Sequence, residues 1–315
     1  MAGLAGSVSW VLVFCWGIFV GGAVHGQIYL ANYSYPGTIS EYTLSGSLVN
    51  PALISGLDAP MALATDRQGH LFVSFEMTGV IGEYTIAGAT VNSSLISGVP
   101  GPYGIAVDGN GFVYATRMDN GTIGKFTTSG ATVSANLISG LSGPMSIALD
   151  GSGHLFVANF YGGTIGEYST SGETINASLI SGVSYPIGLA LDGNGHLFVA
   201  TAGWPETIAE YSMSGELIND SLISGLNSVW NIALDGNGHL FVEDYGNGLP
   251  GAGSIAEYTT SGELVNPALI SGLTQPLGFV VIPEPSVVAL AMLGAALVAA
   301  RSMGIGSKAA DPSIR

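Results

Sequence analysis

The sequence predicts an all-β fold, a six-bladed β-propeller with four-stranded blades, because three short signatures recur along it in register. The tetrapeptide Leu-Ile-Ser-Gly starts at positions 53, 95, 137, 179, 222 and 269, so its intervals are 42, 42, 42, 43 and 47 residues. An Asp-x-x-Gly turn starts at positions 66, 108, 150, 192 and 235, and six segments resemble Thr-Ile-Gly-Glu-Tyr (164–168). Four short strands in a repeat of about 42 residues are typical of a propeller blade.

Residues 1–26 precede the repeats and are predicted to be a signal peptide. The apolar stretch from Val8 to Val20 contains no charged side chain, and small residues follow it, as they do before a cleavage site. An uncleaved membrane anchor is the alternative. Cys15, the single cysteine, lies in this stretch, so we expect the mature protein to have neither disulfides nor thiolate chemistry.

Each repeat predicts four strands joined by tight turns. In the repeat that begins near 147, the strands are expected around 147–149, 154–158, 164–168 and 173–180. The turns Asp-Gly-Ser-Gly (150–153) and Thr-Ser-Gly-Glu (170–173) supply glycine where a hairpin needs positive φ angles. Because the inner strands carry apolar or small residues on both faces, each sheet is expected to be covered on both sides.

The two ends of the repeat array, residues 27–282, are predicted to complete one blade together. The segment 27–32 aligns with the second strand of the repeat and has no first strand before it. The segment 276–281 aligns with the first strand and has no further strands after it. Pairing the C-terminal strand into the N-terminal blade gives six complete blades and leaves no open edge at the seam.

Residues 283–315 resemble the PEP-CTERM sorting signal of bacterial envelope proteins. Pro283, Glu284 and Pro285 form the motif, an apolar segment at 287–300 predicts a short transmembrane helix, and Arg301 supplies the basic flank. The resemblance implies an exosortase-type sorting enzyme as a partner, with release or attachment at the cell surface. An ordinary C-terminal membrane anchor is the alternative. Either predicts export to the envelope, outer surface or extracellular matrix of a bacterium.

The charge balance excludes one class of partner. The chain has 6 Lys and Arg residues against 22 Asp and Glu residues, a formal net charge of -16. Nucleic-acid binding needs basic side chains that neutralise phosphates, so we expect none here.

The repeat resembles several six-bladed propeller families. The segment from Pro102 to Gly111, Pro-Tyr-Gly-Ile-Ala-Val-Asp-Gly-Asn-Gly, is similar to NHL repeats, to gluconolactonase-like proteins and to the virginiamycin B lyase type. The resemblance covers residues 27–282. It implies the fold, whereas propellers of this kind have many unrelated functions. The chain lacks the basic residue that often precedes the third strand of NHL repeats.

Residues that recur in most of the blades are expected to be structural. Histidines at the Asp-Gly turn suggest a metal ring, but blades packed about 10 Å apart cannot share Zn–N bonds of about 2 Å. The Asp-Gly turns suggest calcium but lack the ligand spacing of an EF-hand loop. A recurring Glu on the third strand is expected to be solvated. The recurring histidines are His70, His154, His196 and His239, and the glutamates are Glu41, Glu83, Glu167, Glu210 and Glu257.

A functional site needs residues that break the repeat. At the end of the ring that carries the loops between second and third strands, the breaks are Glu76, Arg117, Met118, Asp119, Tyr161, Trp204, Glu206, Trp230, Asn231, Glu243, Asp244 and Tyr245. We predict an aromatic platform with a polar rim for a sugar ring or peptide, made of Trp204, Trp230, Asn231, Asp244 and Tyr245. Loop drift, with tryptophans that merely fill space, is the alternative.

The gluconolactonase resemblance implies a divalent ion at the channel mouth. Glu76, Asp119, Asn231 and Asp244 could provide such a site for Ca²⁺ or another divalent ion, although no family motif fixes these positions.

We therefore expect an exported cell-surface module that binds extracellular polysaccharide or peptide, or is structural, and needs no cofactor. The alternatives are a metal-dependent hydrolase of the gluconolactonase type and a lyase. A lyase would need a histidine at the binding end, whereas the repeated histidines are predicted at the opposite end.

Overall fold

The computed structural model describes residues 26–66 and 68–284 and is an all-β ring of six sheets. Each sheet has four antiparallel strands, which confirms the predicted six-bladed propeller. The one helical element in the described residues is a 3-10 turn at Gly246–Gly248. No described residue belongs to a helix long and apolar enough to cross a membrane. Residues 1–25 of the predicted signal peptide, Pro285 and the predicted helix at 287–300 lie outside the described residues.

The strands are numbered in chain order, and blades 1 to 6 follow the same order. Blade 1 contains β24 (Pro276–Ile282), β1 (Gln27–Asn32), β2 (Gly37–Thr43) and β3 (Leu48–Leu57). Blade 2 contains β4 (Pro60–Thr65), β5 (His70–Phe75), β6 (Val80–Thr85) and β7 (Thr90–Ser97), and blade 3 contains β8 (Pro102–Val107), β9 (Phe112–Arg117), β10 (Thr122–Thr127) and β11 (Thr132–Ser139).

The other three blades repeat this order. Blade 4 contains β12 (Pro144–Leu149), β13 (His154–Asn159), β14 (Thr164–Ser169) and β15 (Thr174–Ser181). Blade 5 contains β16 (Pro186–Leu191), β17 (His196–Thr201), β18 (Glu206–Ser212) and β19 (Leu217–Leu226). Blade 6 contains β20 (Val229–Leu234), β21 (His239–Asp244), β22 (Gly253–Thr259) and β23 (Leu264–Leu273).

The first strand of each blade lines a central channel, because β4, β8, β12, β16, β20 and β24 contact one another in a closed circle. We call the end of the ring with the blade-to-blade links and the loops between second and third strands the upper end. The lower end carries the turns between first and second strands and between third and fourth strands. The described ends of the chain meet at the lower end, since β24 pairs there with β1 through Ile282 and Gln27. The predicted closure of the ring is thus confirmed.

The second strands are the most deeply buried part of each blade because both of their faces pack. Phe72, Phe156, Phe198 and Phe241 occupy equivalent positions and are at most 1% exposed. Each ring packs into the following blade, as Phe72 of blade 2 does in a cluster with Val113 of blade 3. Truncating such a buried phenylalanine to alanine costs about 3–5 kcal/mol.

The Leu-Ile-Ser-Gly and Thr-Ser-Gly signatures recur together because they touch across each blade boundary. Gly172, in the turn of blade 4, has a φ of +95°, and an added Cβ would lie 2.8 Å from the carbonyl oxygen of Leu137 in blade 3. The other five blades have the same contact, with corresponding distances from 2.1 to 2.6 Å. Glycine is required here by both its φ angle and the neighbouring backbone.

The four recurring histidines join two acidic side chains of their own blade. In blade 4, His154 Nδ1 lies 3.4 Å from Asp150 Oδ2 and 3.1 Å from Glu167 Oε1. His70, His196 and His239 have equivalent partners. The prediction that they are structural turn residues is confirmed, whereas the prediction of solvated glutamates is wrong for Glu41 and Glu83, which are buried.

Blade 3 replaces both members of the His–Glu pair at once. Phe112 stands at the histidine position and Lys125 at the glutamate position. Lys125 Nζ lies 4.1 Å from the centre of the Phe112 ring and donates a hydrogen bond of 2.9 Å to the carbonyl oxygen of Thr170. A cation over an aromatic face therefore takes the place of the His–Glu contact found in blades 2, 4, 5 and 6.

This exchange predicts a coupled pair of substitutions. Lys125→Glu alone places a carboxylate beside Phe112 and removes the bond to Thr170, so it should destabilise the protein by about 1–2 kcal/mol. Adding Phe112→His restores the arrangement of blade 4, and the double variant should recover about 0.5–1 kcal/mol in a urea-unfolding cycle at pH 6. Lys125→Glu with Phe112→Leu supplies no donor and is the control. If the effects of Lys125→Glu and Phe112→His on the free energy of unfolding are strictly additive, the two positions do not interact as proposed.

Candidate ligand site at the upper end of the channel

Six side chains line the upper entrance of the channel, one from the first strand of each blade. In every blade the pairing between first and second strands slips here by at least one residue, and such bulges re-aim side chains. The residues at this position all line the channel, and they are Met61, Tyr103, Met145, Ile187, Trp230 and Leu277.

Below this entrance the channel is narrow. The next residue of each first strand is small in five blades, namely Ala62, Gly104, Ser146, Gly188 and Gly278, and is Asn231 in blade 6. A Cβ added at Gly104 would lie 2.3 Å from the carbonyl oxygen of Met145, so backbones of neighbouring blades approach closely. The space that remains is about 170 Å³.

A second cavity, of about 310 Å³, lies at the upper end over blades 3 to 6. Aromatic and methionine side chains form much of its wall, including Tyr103, Met118, Phe160, Trp230 and Tyr245. The rings of Trp230 and Tyr245 are 5.8 Å apart with an interplanar angle of 36°. Flat apolar walls of this kind suit a ligand with a ring or a planar group.

Carboxyl groups from three blades lie in or beside the aromatic wall. Glu206 lines the cavity, and its Oε2 accepts a hydrogen bond of 2.7 Å from the backbone nitrogen of Val229. Glu76 accepts a bond of 2.8 Å from the Tyr103 hydroxyl. Burial is the main cause that raises the pKa of Tyr103, and the Glu76 carboxylate raises it further. Asp244 accepts a bond of 2.7 Å from the Gly246 nitrogen, and burial raises its pKa.

The structure brings together part of the predicted aromatic platform. Trp230 and Tyr245 share the cavity wall, and Asp244 directly precedes Tyr245. Asn231 lies in the channel wall instead, where its Nδ2 donates a bond of 3.3 Å to the carbonyl oxygen of Phe279. Trp204 is 86% exposed and is not part of the cavity wall.

The four residues considered as metal ligands have different surroundings. Asp119 is exposed, the amide of Asn231 bonds to backbone atoms, and Glu76 and Asp244 accept the bonds given above. No group of three or more His, Cys, Asp or Glu side chains is arranged for a metal ion in the described part of the chain. These donor atoms therefore do not fit a divalent-ion site.

Glu243, one of the residues that break the repeat at this end of the ring, was included in neither the predicted aromatic platform nor the predicted metal site. It is 0% exposed, and neither carboxyl oxygen has a hydrogen-bond partner among the described residues. Burial raises its pKa well above the usual value. Its Cα pairs with that of Asn231, and alternation along β21 places it on the face of Phe241, which packs against blade 1. The equivalent residues are Ala31, Ser74, Thr116, Ala158 and Ala200.

Comparison with known proteins agrees with the fold. The profile of the Virginiamycin B lyase family matches residues 17–298. No curated protein matches the chain. Among solved structures, a chain of a nidogen/laminin complex has a TM-score of 0.70 at 16% identity, and the alignment covers 82% of this chain and 99% of that chain.

Two bacterial enzymes are also similar in structure. A catalytically inactive His-to-Ala variant of virginiamycin B lyase from Staphylococcus aureus, solved with quinupristin, has a TM-score of 0.55 at 20% identity, covering 78% of this chain and 85% of that chain. A gluconolactonase from Xanthomonas campestris has a TM-score of 0.56 at 13% identity, covering 79% and 88%. At these identities the likeness shows the fold alone.

The buried carboxyl group of Glu243 predicts a pH dependence of stability. Below the pKa of the unfolded chain, about 4.3, both states are protonated and burial of the charge has no cost. At higher pH the unfolded state loses the proton and the folded state keeps it. Stability should then fall by about 1.4 kcal/mol per pH unit, up to the raised pKa of the folded state.

The variant Glu243→Gln should lack this contribution, so its stability relative to the wild type should increase from pH 4 to pH 7 in urea unfolding. Glu216→Gln, at an exposed turn of the lower end, is the control for the loss of one carboxyl group. Parallel curves for the Gln variant and the wild type would show that Glu243 is ionised in the folded protein.

Proposed function

We propose, from the premise that the chain belongs to the virginiamycin B lyase family, that it is an exported propeller whose upper cavity binds an extracellular ligand. The single observation that carries this proposal is the cavity itself. Its wall contains Tyr103, Phe160, Trp230 and Tyr245 from three different blades, although the rest of each blade is nearly repeated. Asymmetry at one end of a ring of similar units is expected of a binding site and is not needed for the fold.

Binding is better supported than catalysis by a histidine. The solved Staphylococcus aureus lyase is inactive as a His-to-Ala variant. In the described part of this chain, the histidines are His70, His154, His196 and His239, and each contacts acidic residues at the lower end. A proton transferred in the upper cavity would need a group within hydrogen-bonding reach of the ligand, which these histidines cannot provide. We therefore propose a binding module within a family that contains lyases.

Export is proposed from the sequence of the two terminal segments. The described chain ends, Gly26 and Glu284, lie next to each other, since an added Cβ on Gly26 would be 2.9 Å from the Glu284 nitrogen. Both ends are at the lower end of the ring. A membrane reached through the tail would consequently face the lower end, and the upper cavity would open away from it.

The two tryptophans give a matched test of the binding proposal. On a glycan and peptide array, Trp230→Ala should lower the affinity for the ligands that bind the wild type by about tenfold, because it removes part of the cavity wall. Trp204→Ala removes the same side chain from an exposed loop outside the cavity and should leave binding unchanged. Loss of binding with Trp204→Ala and not with Trp230→Ala would place the site elsewhere.

The sorting proposal predicts the C-terminus of the mature protein. Strand β24 ends at Ile282, directly before Pro283, so cleavage at the Pro-Glu-Pro motif removes the tail and leaves the closing strand in place. Mass spectrometry of protein recovered from the surface of a bacterium with the sorting enzyme should show a C-terminus near Glu284. A mature protein that retains Arg301 through Arg315 would contradict processing.

A further inference from the structure

We propose that the upper cavity selects a small organic cation, a protonated amine attached to a flat apolar ring. This inference rests on the proposed function, because it assumes a ligand in the cavity. It further specifies that the ligand is positively charged. It is carried by the aromatic faces of the wall, by the carboxylates around them and by the distribution of basic side chains.

The aromatic wall provides the first part of the selectivity. Trp230, Tyr245 and Tyr103 present π-systems to a cavity of about 310 Å³. A cation over such a face is attracted by the ring quadrupole, and the attraction is strongest for tryptophan. The same rings accept a flat apolar group by stacking, so a ligand with both features uses the whole wall.

The carboxylates provide the second part, because one lines the cavity and two others adjoin residues of its wall. Glu206 from blade 5 lines the cavity, Glu76 from the upper end of blade 2 is bound to the Tyr103 hydroxyl, and Asp244 from blade 6 adjoins Tyr245. Each is only partly buried. Negative groups beside low-dielectric walls attract cations and repel anions over several ångströms.

The described basic side chains are not part of the cavity wall. Among the residues that the structure describes, Lys and Arg are represented by Arg117 and Lys125. Arg117 is 7% exposed and donates its hydrogen bonds to Ala135 and Asn136 on β11, the outer strand of blade 3. Lys125 lies over Phe112 and bonds to Thr170, which belongs to a lower turn. A ligand would therefore bring the compensating positive charge.

Three indoles of equal size separate charge from shape. Tryptamine is a cation at pH 7, tryptophol is neutral and indole-3-acetate is an anion, while the ring is identical. Binding to the purified full chain is measured by ligand-observed NMR titration at low salt. We expect tryptamine to bind roughly tenfold more tightly than tryptophol, with indole-3-acetate weakest, and the preference for tryptamine to shrink as salt is added.

Substitutions then locate the charge that selects. Glu206→Gln and Glu76→Gln keep the shape of the side chains. Each should lower the preference for tryptamine over tryptophol by roughly threefold and leave the affinity for tryptophol unchanged. Glu216→Gln removes the same charge from an exposed lower turn and should change nothing.

The outcomes distinguish this inference from the function on which it rests. Equal affinity for all three indoles, or a preference for indole-3-acetate, overturns cation selection and leaves the cavity as a binding site. An equal loss of preference in the Glu216 variant also overturns it, since net charge alone would then explain the result. Failure of all three indoles to bind at millimolar concentration overturns this inference, whereas the binding function fails only if the wild type binds nothing on the glycan and peptide array.

Discussion

Every blade depends on the next one, because both faces of its sheet are apolar. Phe72 of blade 2 packs among residues of blade 3, and Gly172 of blade 4 touches the backbone of Leu137 in blade 3. A single blade would leave both faces in water, and an open row of blades would leave one face at each end. Closure into a ring is the arrangement that covers all of them, so the interior of each strand is committed to packing.

The ends of the strands are where individual blades can differ without loss of this packing. At the lower end the differences occur as compensated pairs, such as Phe112 with Lys125 in place of histidine with glutamate. At the upper end they enlarge and line a cavity, as Trp230 does. Glu243 is the exception, since it occupies a packed position where Ala158 and Ala200 stand in other blades. Burying its carboxyl group without a partner lowers stability, and packing alone does not require it.

The repeat made the fold predictable and made only part of the site predictable. Alignment of the repeats placed Trp230 at the binding end, because strand positions are transferable between blades, and the structure puts it at the channel entrance. The loop that carries Trp204 differs from the equivalent loops, so the alignment could not show that this side chain points into solvent. Asn231 was predicted at the rim and lies in the channel wall, since the bulge in β20 turns it there. The environment of Glu243 depends on packing against blade 1, which no local pattern reports.

The pairing of β24 with β1 also determines how the protein carries mechanical load. The strand β24 runs toward the lower end and continues into the tail, so a pull on the tail against a ligand held at the upper end acts along the strand. The pairs from Gln27–Ile282 to Asn32–Pro276 then resist together, in shear. A force that separates Gly26 from Glu284 acts across the same pairs and breaks them one at a time. The ring is therefore strong toward a tethered ligand and weak toward separation of its own ends.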